Sequence, residues 1–219
     1  MKIWSVVSQK GGAGKTTLAL QLAIAASEQL KVLLIDLDPQ ESAERWHQIR
    51  QRITGTKDDP SIAAGLPPKL SDMLKTARKL GADLVLIDTP PKRERAIHAA
   101  VVAAGLVLVP LRSSVLDLQA LKDTADELDV TKCKGKAVVV ANAMPSGRNR
   151  DGAIKDIMRY ATPLKLEVLA ERLSDLPAYS QGLKSGRGVT EIERNGTAAK
   201  EITTLLEALW ARDSEVAAA

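Results

Sequence analysis

The chain has 219 residues, of which 45% are hydrophobic, 26% charged and 2% aromatic, and it carries a net charge of +4. This length suits one α/β domain with a core of aliphatic side chains. The few aromatic rings argue against a stacking platform for single-stranded nucleic acid, while the positive charge permits weak binding to a polyanion. Cys133 is the single cysteine, which excludes an internal disulfide and fits a reducing cytoplasm.

The first motif links a predicted strand to a predicted helix. Residues 3–7 form an apolar run, residues 8–17 have the sequence Ser-Gln-Lys-Gly-Gly-Ala-Gly-Lys-Thr-Thr, and residues 18–26 predict a helix. Small residues between a strand and a helix N-terminus let backbone N–H groups converge on an anion. We expect Lys15 to neutralise the β- and γ-phosphates of a nucleotide and the Thr16 hydroxyl to bind Mg²⁺. The predicted nucleotide-binding residues of this loop are Gly11, Gly12, Ala13, Gly14, Lys15, Thr16 and Thr17.

The loop departs from the general P-loop pattern at its front end. The pattern requires glycine where the chain has Gln9, and a second lysine, Lys10, follows it. Two lysines on one loop require more negative charge than the distal phosphates of one nucleotide, or a second nucleotide nearby. With this KGGxGKT sequence the chain resembles the deviant Walker A ATPases of the ParA/MinD family. The resemblance implies that Lys10 crosses to the nucleotide of the partner subunit in an ATP-sandwich homodimer. A glycine-rich loop with two solvated lysines is the alternative.

A second apolar run, residues 31–36, ends on Asp36 and is followed closely by Asp38. A continuous aliphatic run is typical of a parallel strand covered on both faces, and ligands bind at the carboxyl ends of such strands. The resemblance implies that Asp36 holds the Mg²⁺ shell and that Asp38 acts catalytically by orienting or activating the attacking water. Alternatively, Asp38 only caps the helix predicted for residues 41–52. We place His47 on the surface of that helix.

A third apolar run, residues 84–87, ends on Asp88, and Thr-Pro-Pro follows. This sequence matches the Walker B motif of the resembled family, whose carboxylate can hold Mg²⁺ through a water. A buried strand with a capping aspartate is the alternative. Residues 54–69, which precede this run, are rich in glycine and proline and predict an irregular connection. Residues 70–80 predict an amphipathic helix.

The second half of the chain continues the alternation of strands and helices. The resemblance places the loop after a strand at residues 106–111 near the dimer interface, with a serine-capped turn as the alternative. A strand at residues 136–142 ends on Asn142, whose amide can donate and accept hydrogen bonds and which the resemblance assigns to the adenine edge. We further predict a strand at residues 165–170, a loop at residues 180–188, a helix from Gly196 to about Arg212 and a frayed tail at residues 213–219.

These elements together predict one domain, residues 1–219, with a doubly wound, mostly parallel sheet and helices on both faces, as in P-loop NTPases. Because the sequence begins at the strand of the phosphate loop, we expect none of the N-terminal helix-turn-helix extension of larger ParA proteins. We also expect no signal peptide and no membrane-spanning helix, since no run of 18 apolar residues occurs.

The resemblance also implies nonspecific DNA binding by the ATP-bound dimer. Such binding needs only lysine and arginine against phosphates. The candidate DNA-binding residues are Arg172, Lys184, Arg187 and Lys200, with Arg194 as a possible extension of the patch. A solvated surface charge is the alternative for each of them.

The implied function is an ATP-dependent partition or positioning ATPase with Mg²⁺ as cofactor and weak basal hydrolysis. A centromere-binding or other adaptor protein would stimulate hydrolysis, and the cargo would be a plasmid, a chromosome or a protein assembly. We expect a cytoplasmic protein that associates with the nucleoid when ATP is bound.

Two other functions remain open. A MinD-like membrane-cycling ATPase needs a basic amphipathic terminal helix, and residues 213–219 are neither basic nor strongly apolar, so we expect no stable membrane association. A small-molecule enzyme of the dethiobiotin synthetase type would use the same loop without the crossing of Lys10.

Overall fold

The computed structural model describes residues 1–55 and 59–218, and this part of the chain contains seven strands and nine α-helices. The strands are β1 (Lys2–Val6), β2 (Val32–Asp36), β3 (Ser61–Ala64), β4 (Leu84–Asp88), β5 (Leu106–Leu111), β6 (Ala137–Met144) and β7 (Glu167–Ser174). The helices are α1 (Lys15–Ser27), α2 (Ser42–Thr54), α3 (Leu70–Lys79), α4 (Glu94–Ala103), α5 (Val115–Val130), α6 (Asn149–Ala161), α7 (Pro177–Lys184), α8 (Val189–Ile192) and α9 (Thr197–Ala218).

The seven strands form a single sheet in the order β3-β2-β4-β1-β5-β6-β7. Every neighbouring pair is parallel, so the loops that leave all the strands meet at one edge of the sheet. The chain winds from β1 towards β2 on one side and later towards β5 on the other. Ligand crevices lie where the winding reverses in this way, at the carboxyl ends of the strands. The predicted doubly wound parallel sheet is confirmed.

Both faces of the sheet are buried, which explains the uninterrupted aliphatic runs of its strands. One face presents Trp4, Leu34 and Leu108, which pack in a cluster with α1 and α9. The opposite face presents Val107 and Val139, which pack in a cluster with α4, α5 and α6. Alternate residues of each strand thus belong to different clusters, and the sheet is held between two layers of helices.

Two predictions for residues 41–69 are wrong. Strand β3 lies inside the segment predicted to be an irregular connection, and it pairs in parallel with β2. It is only four residues long and lies at the sheet edge, so its own sequence gives little sign of a strand. His47, which was expected on the surface of its helix, is only 7% exposed, because it lies on the buried side of α2. Its ring is hydrogen-bonded to Gln51. Residues 56–58 of the predicted connection lie outside the described residues.

The predictions for the C-terminal region also need correction. Residues 213–218, expected to fray, continue α9, and Ala219 lies outside the described residues. The cause is a contact from the other end of the chain, since the Lys2 ammonium pairs with buried Asp213 and lies 4.9 Å from the ring centre of Trp210. Helix α7 likewise occupies part of the predicted loop at residues 180–188. Of the helices within residues 1–55 and 59–218, none could cross a membrane.

Because α9 packs in the core, shortening one of its buried side chains is expected to lower the free energy of unfolding strongly. Leu209 is 0% exposed, so Leu209→Ala is expected to lower the free energy of unfolding by about 2–5 kcal/mol. The exposed Thr203→Ala on the same helix is the matched control and is expected to change it by less than about 0.5 kcal/mol. Urea denaturation of both variants measures the difference. Equal losses would contradict the placement of α9 in the core.

Candidate nucleotide-binding site

The loop between β1 and α1 requires glycine at a defined position. Gly14 caps α1 with φ at 89°, in the left-handed region that favours glycine. A Cβ atom at this position would also collide with the side-chain amide of Asn142, which donates a hydrogen bond to the carbonyl oxygen of Ala13 at 2.8 Å. The first N–H groups of α1 have no acceptor within the helix. The loop and the helix start therefore offer these groups to an anion.

Lys15 is buried in the curve of this loop. The residue is 6% exposed, and its ammonium donates a hydrogen bond to the carbonyl oxygen of Lys10 at 3.0 Å. Burial lowers the pKa of the Lys15 ammonium, and the nearby charges of Asp88 and Asp38 partly offset this shift. An anion bound in the loop would favour the charged ammonium, so the position fits the predicted role of Lys15 on phosphates.

Asp88 and Thr16 form the second half of the site. The Thr16 hydroxyl donates a hydrogen bond to Oδ2 of Asp88 at 2.6 Å, while Oδ1 of Asp88 is buried without a hydrogen-bond partner among the described residues. Burial raises the pKa of Asp88 to about 7, although the Thr16 hydrogen bond opposes the shift. An unpaired carboxylate oxygen beside a hydroxyl fits the oxygen shell of Mg²⁺. Two of the three residues predicted to serve the metal, Thr16 and Asp88, are therefore brought together.

Asp36 shapes the loop after β2. It lies opposite Asp88 in the β2–β4 register and is 1% exposed. Its two carboxylate oxygens accept hydrogen bonds from the backbone N–H groups of Asp38 and Ala43, each at 2.9 Å. Burial raises the pKa of Asp36, and these backbone hydrogen bonds oppose the shift. Asp36 therefore holds the first turn of α2, which is the capping role that was the alternative for Asp38, and its part in the Mg²⁺ shell stays a prediction.

Asp38 is left half-buried beside the phosphate loop. Its Oδ1 accepts a hydrogen bond from the backbone N–H of Gln40 at 2.9 Å, which closes a tight turn. The α2 cap position is Glu41, which makes no side-chain capping bond. Burial lowers the pKa of Lys15, and the charge of Asp38, after that of Asp88, opposes this shift. A carboxylate placed here can accept a hydrogen bond from a water near the phosphates.

Lys10 is held within its own chain. Its ammonium lies 2.9 Å from Oδ2 of Asp117, on the first turn of α5. Asp117 is 5% exposed and also accepts a hydrogen bond from the hydroxyl of Ser114, the residue that caps α5. The Lys10 side chain itself is 28% exposed. The crossing of Lys10 to a partner subunit stays a prediction, and its ion pair with Asp117 has no signal in the local sequence.

A cavity of about 500 Å³ lies beside the phosphate loop and suits a nucleoside base. Its lining includes Gly12, Gly14, Arg112, Asn142, Asp175 and Pro177. Asn142 was predicted here; one of its two amide N–H groups donates to Ala13, so the other N–H and the amide oxygen remain for a base. Asp175 and Pro177 were missed because the last strand was predicted to end at residue 170, whereas β7 ends at Ser174.

The candidate DNA-binding residues lie on elements that contact one another. Arg172 is half-buried in the edge strand β7, and Lys184, Arg187 and Lys200 are exposed at the end of α7, in the following loop and in the first turn of α9. Helix α9 contacts both β7 and α8, and α8 contacts α7. Arg194 pairs with Glu28 at 3.5 Å. DNA binding by these residues stays a prediction.

The raised pKa of Asp88 predicts a pH-dependent stability in the absence of nucleotide and Mg²⁺. Between its ordinary pKa of 3.8 and about 7, the folded chain binds a proton that the unfolded chain has lost, so the free energy of unfolding falls as the pH rises. The side chain in Asp88→Asn does not titrate. The free energy of unfolding of this variant, relative to that of the wild type, is therefore expected to rise by about 2–3 kcal/mol from pH 5 to pH 8.

Urea denaturation across this pH range measures the effect. Asp72→Asn, at an exposed aspartate of α3, is the control and should follow the wild type at every pH. A constant difference between Asp88→Asn and the wild type would contradict the raised pKa.

Comparisons with known proteins agree with this geometry. The family model described as CobQ/CobB/MinD/ParA nucleotide binding domain matches residues 4–189. The maintenance of carboxysome distribution protein A of Gloeobacter kilaueensis is 38% identical over 124 residues, which span 56% of this chain and only 55% of that protein. Protein ParA of Rhizobium radiobacter is 30% identical over 191 residues, which span 82% of this chain and 81% of that protein.

The fold is also found among solved structures. The MinC:MinD cell division protein complex of Aquifex aeolicus aligns with a TM-score of 0.78 at 20% identity, over 96% of this chain and 96% of that chain. The family match extends across the phosphate loop, both aspartate loops and Asn142. The chain therefore belongs to the CobQ/CobB/MinD/ParA family of nucleotide-binding domains.

Proposed function

We propose that the chain is an ATP-dependent partition or positioning ATPase of the ParA type. The observation that carries the proposal is the second lysine of the phosphate loop. Lys10 is partly exposed at the front of the loop and is held only by Asp117 among the described residues, so it can exchange this partner for another anion. The names of the two relatives, a carboxysome distribution protein and a ParA protein, support the same class of function.

The proposed reaction is hydrolysis of ATP to ADP and phosphate. Lys15 and the loop N–H groups hold the β- and γ-phosphates, and Thr16 and Asp88 hold Mg²⁺, which supplies charge neutralisation when bound. Asp36 orders the loop that carries Asp38, and Asp38 orients the attacking water. The charged form of the Asp88 carboxyl would suit a divalent cation, whose positive charge would favour that form. Basal turnover is weak because Lys10 is withheld from the phosphates.

The proposed active form is a homodimer that encloses ATP between two phosphate loops. Each Lys10 leaves Asp117 and contacts the nucleotide held by the facing copy. Val115 and Leu116 are 62% and 66% exposed next to Asp117, at the start of α5. Apolar side chains exposed side by side suit a surface that a partner covers, which supports contact through this region.

The proposed dimer binds DNA without sequence preference through phosphates. The contacting residues are Arg172, Lys184, Arg187 and Lys200. An adaptor protein bound to the cargo stimulates hydrolysis, after which the dimer separates and releases DNA. Repetition of this cycle moves a plasmid, a chromosome or a protein assembly across the nucleoid in the cytoplasm.

Variants of the two loop lysines test this proposal. Lys15→Ala is expected to lose ATP binding, because it removes the charge that contacts the phosphates. Lys10→Ala is expected to keep ATP binding within about threefold but to lose ATP-dependent dimerisation and at least about tenfold in DNA affinity. Fluorescent-ATP titration, sedimentation and DNA anisotropy measure the three properties.

Lys75→Ala, at an exposed lysine of α3, is the matched control and should behave as the wild type. The proposal fails if Lys15→Ala and the wild type bind DNA equally tightly with and without ATP. A wild-type protein that hydrolyses ATP while it stays monomeric would indicate a small-molecule enzyme instead.

A further inference from the structure

The helix that begins at the phosphate loop buries a glutamine. Gln21 of α1 is 1% exposed. Its Nε2 donates a hydrogen bond to the carbonyl oxygen of Tyr179 at 3.1 Å, and its Oε1 accepts one from the backbone N–H of Val189 at 2.9 Å. Tyr179 belongs to α7 and Val189 begins α8. One side chain of α1 therefore holds both the first turn of α7 and the first residue of α8.

The helix that begins after the Asp36 loop buries an arginine against the same segment. Arg50 of α2 is 2% exposed and makes two hydrogen bonds to the carboxylate of Glu191, at 2.7 and 2.8 Å. It also donates to the carbonyl oxygen of Gly186 at 2.9 Å. A Cβ atom at Gly186 would lie 2.9 Å from the Cα of Arg50, so the segment lies directly against the backbone of α2.

Residues 177–192 are thus held at two places by helices that start at the two nucleotide loops. We call these residues the basic segment, because they carry the exposed Lys184 and Arg187. Helix α1 starts at Lys15, and the first turn of α2 is held by Asp36. A movement of either loop on binding a triphosphate is therefore transmitted to the basic segment through α1 or α2.

Burying a polar side chain costs desolvation free energy, so its use to hold a surface segment indicates that the orientation of the segment matters. Apolar contacts would tolerate sliding of the segment over α1 and α2, whereas hydrogen bonds fix distance and angle. The amide of Gln21 uses both its donor and its acceptor on the segment backbone, and the guanidinium of Arg50 binds Glu191 in a bidentate manner. The segment therefore follows the two helices rather than slipping against them.

We propose that Gln21 and Arg50 are positioning residues that couple the nucleotide state to the orientation of Lys184 and Arg187. In the ATP-bound form, Gln21 and Arg50 orient the side chains of Lys184 and Arg187 towards DNA phosphates. The proposal rests on the proposed function, since it explains how the ATP form gains affinity for DNA. Gln21 is one of the residues that line the cavity beside the phosphate loop, whereas Arg50 is not, and neither is assigned a chemical role in hydrolysis.

Two substitutions of similar length test the coupling. Gln21→Met and Arg50→Met remove the polar contacts to the basic segment, and Arg50→Met also removes a hydrogen bond to the carbonyl oxygen of Asp59. Arg50→Met is expected to bind fluorescent ATP and to dimerise with ATP within about threefold of the wild type. Because Gln21 lines the cavity beside the phosphate loop, DNA binding by Gln21→Met is measured at saturating ATP. Each variant is expected to lose at least about tenfold of the ATP-dependent affinity for a mixed-sequence DNA duplex, measured by anisotropy.

Ser185→Ala is the matched control within the basic segment. The Ser185 hydroxyl donates to the carbonyl oxygen of Gly182 at 2.8 Å, which is a contact inside the segment that touches neither α1 nor α2. This variant is expected to retain the wild-type gain of DNA affinity. A loss as large as that of Gln21→Met would show that any loosening of the segment suffices, and it would overturn the positioning role.

Amide hydrogen exchange of the wild type provides a test that does not depend on the folding of a variant. Exchange of the Val189 amide, which donates to Oε1 of Gln21, is expected to change when a non-hydrolysable ATP analogue and Mg²⁺ bind. An unchanged Val189 amide in the wild type would overturn the proposal. If the wild type gains no DNA affinity with ATP, the proposed function fails; if the wild type and both methionine variants gain it equally, only the coupling fails.

Discussion

The site depends on the joint burial of Lys15 and Asp88 where β1 and β4 end. Burial lowers the pKa of the ammonium and raises the pKa of the carboxyl to about 7, so both groups are shifted towards their neutral forms. The proposed triphosphate and Mg²⁺ would supply what each group lacks, an anion for Lys15 and a cation for Asp88. The sheet order brings the two groups together, because β1 and β4 are parallel neighbours whose carboxyl ends face the same crevice.

Three helices extend from this crevice into different parts of the protein. Helix α1 begins at the phosphate loop, the start of α2 is held by Asp36, and α5 holds Lys10 through Asp117. Helices α1 and α2 then reach the basic segment through Gln21 and Arg50. The same packing that fixes the nucleotide loops therefore also connects them to the surface assigned to DNA and to the surface assigned to a second copy.

The candidate site residues that the structure brings together could be predicted from local sequence, whereas their long-range partners could not. Glycine spacing and the acidic ends of aliphatic runs located Lys15 and Asp88, because both signals arise from neighbouring residues. The capping role of Asp36 and the ion pair of Lys10 depend on packing between elements. The helical tail was missed for the same reason, since its support comes from Lys2 at the opposite end of the chain. Strand β3 is too short to carry a periodic signal of its own.

The most direct test is a crystal structure of the protein with Mg²⁺ and a non-hydrolysable ATP analogue. We predict two facing copies in which the Lys10 ammonium has left Asp117 and lies within hydrogen-bonding distance of the phosphates held by the other copy. A single nucleotide-loaded subunit whose Lys10 still pairs with Asp117 would contradict this prediction.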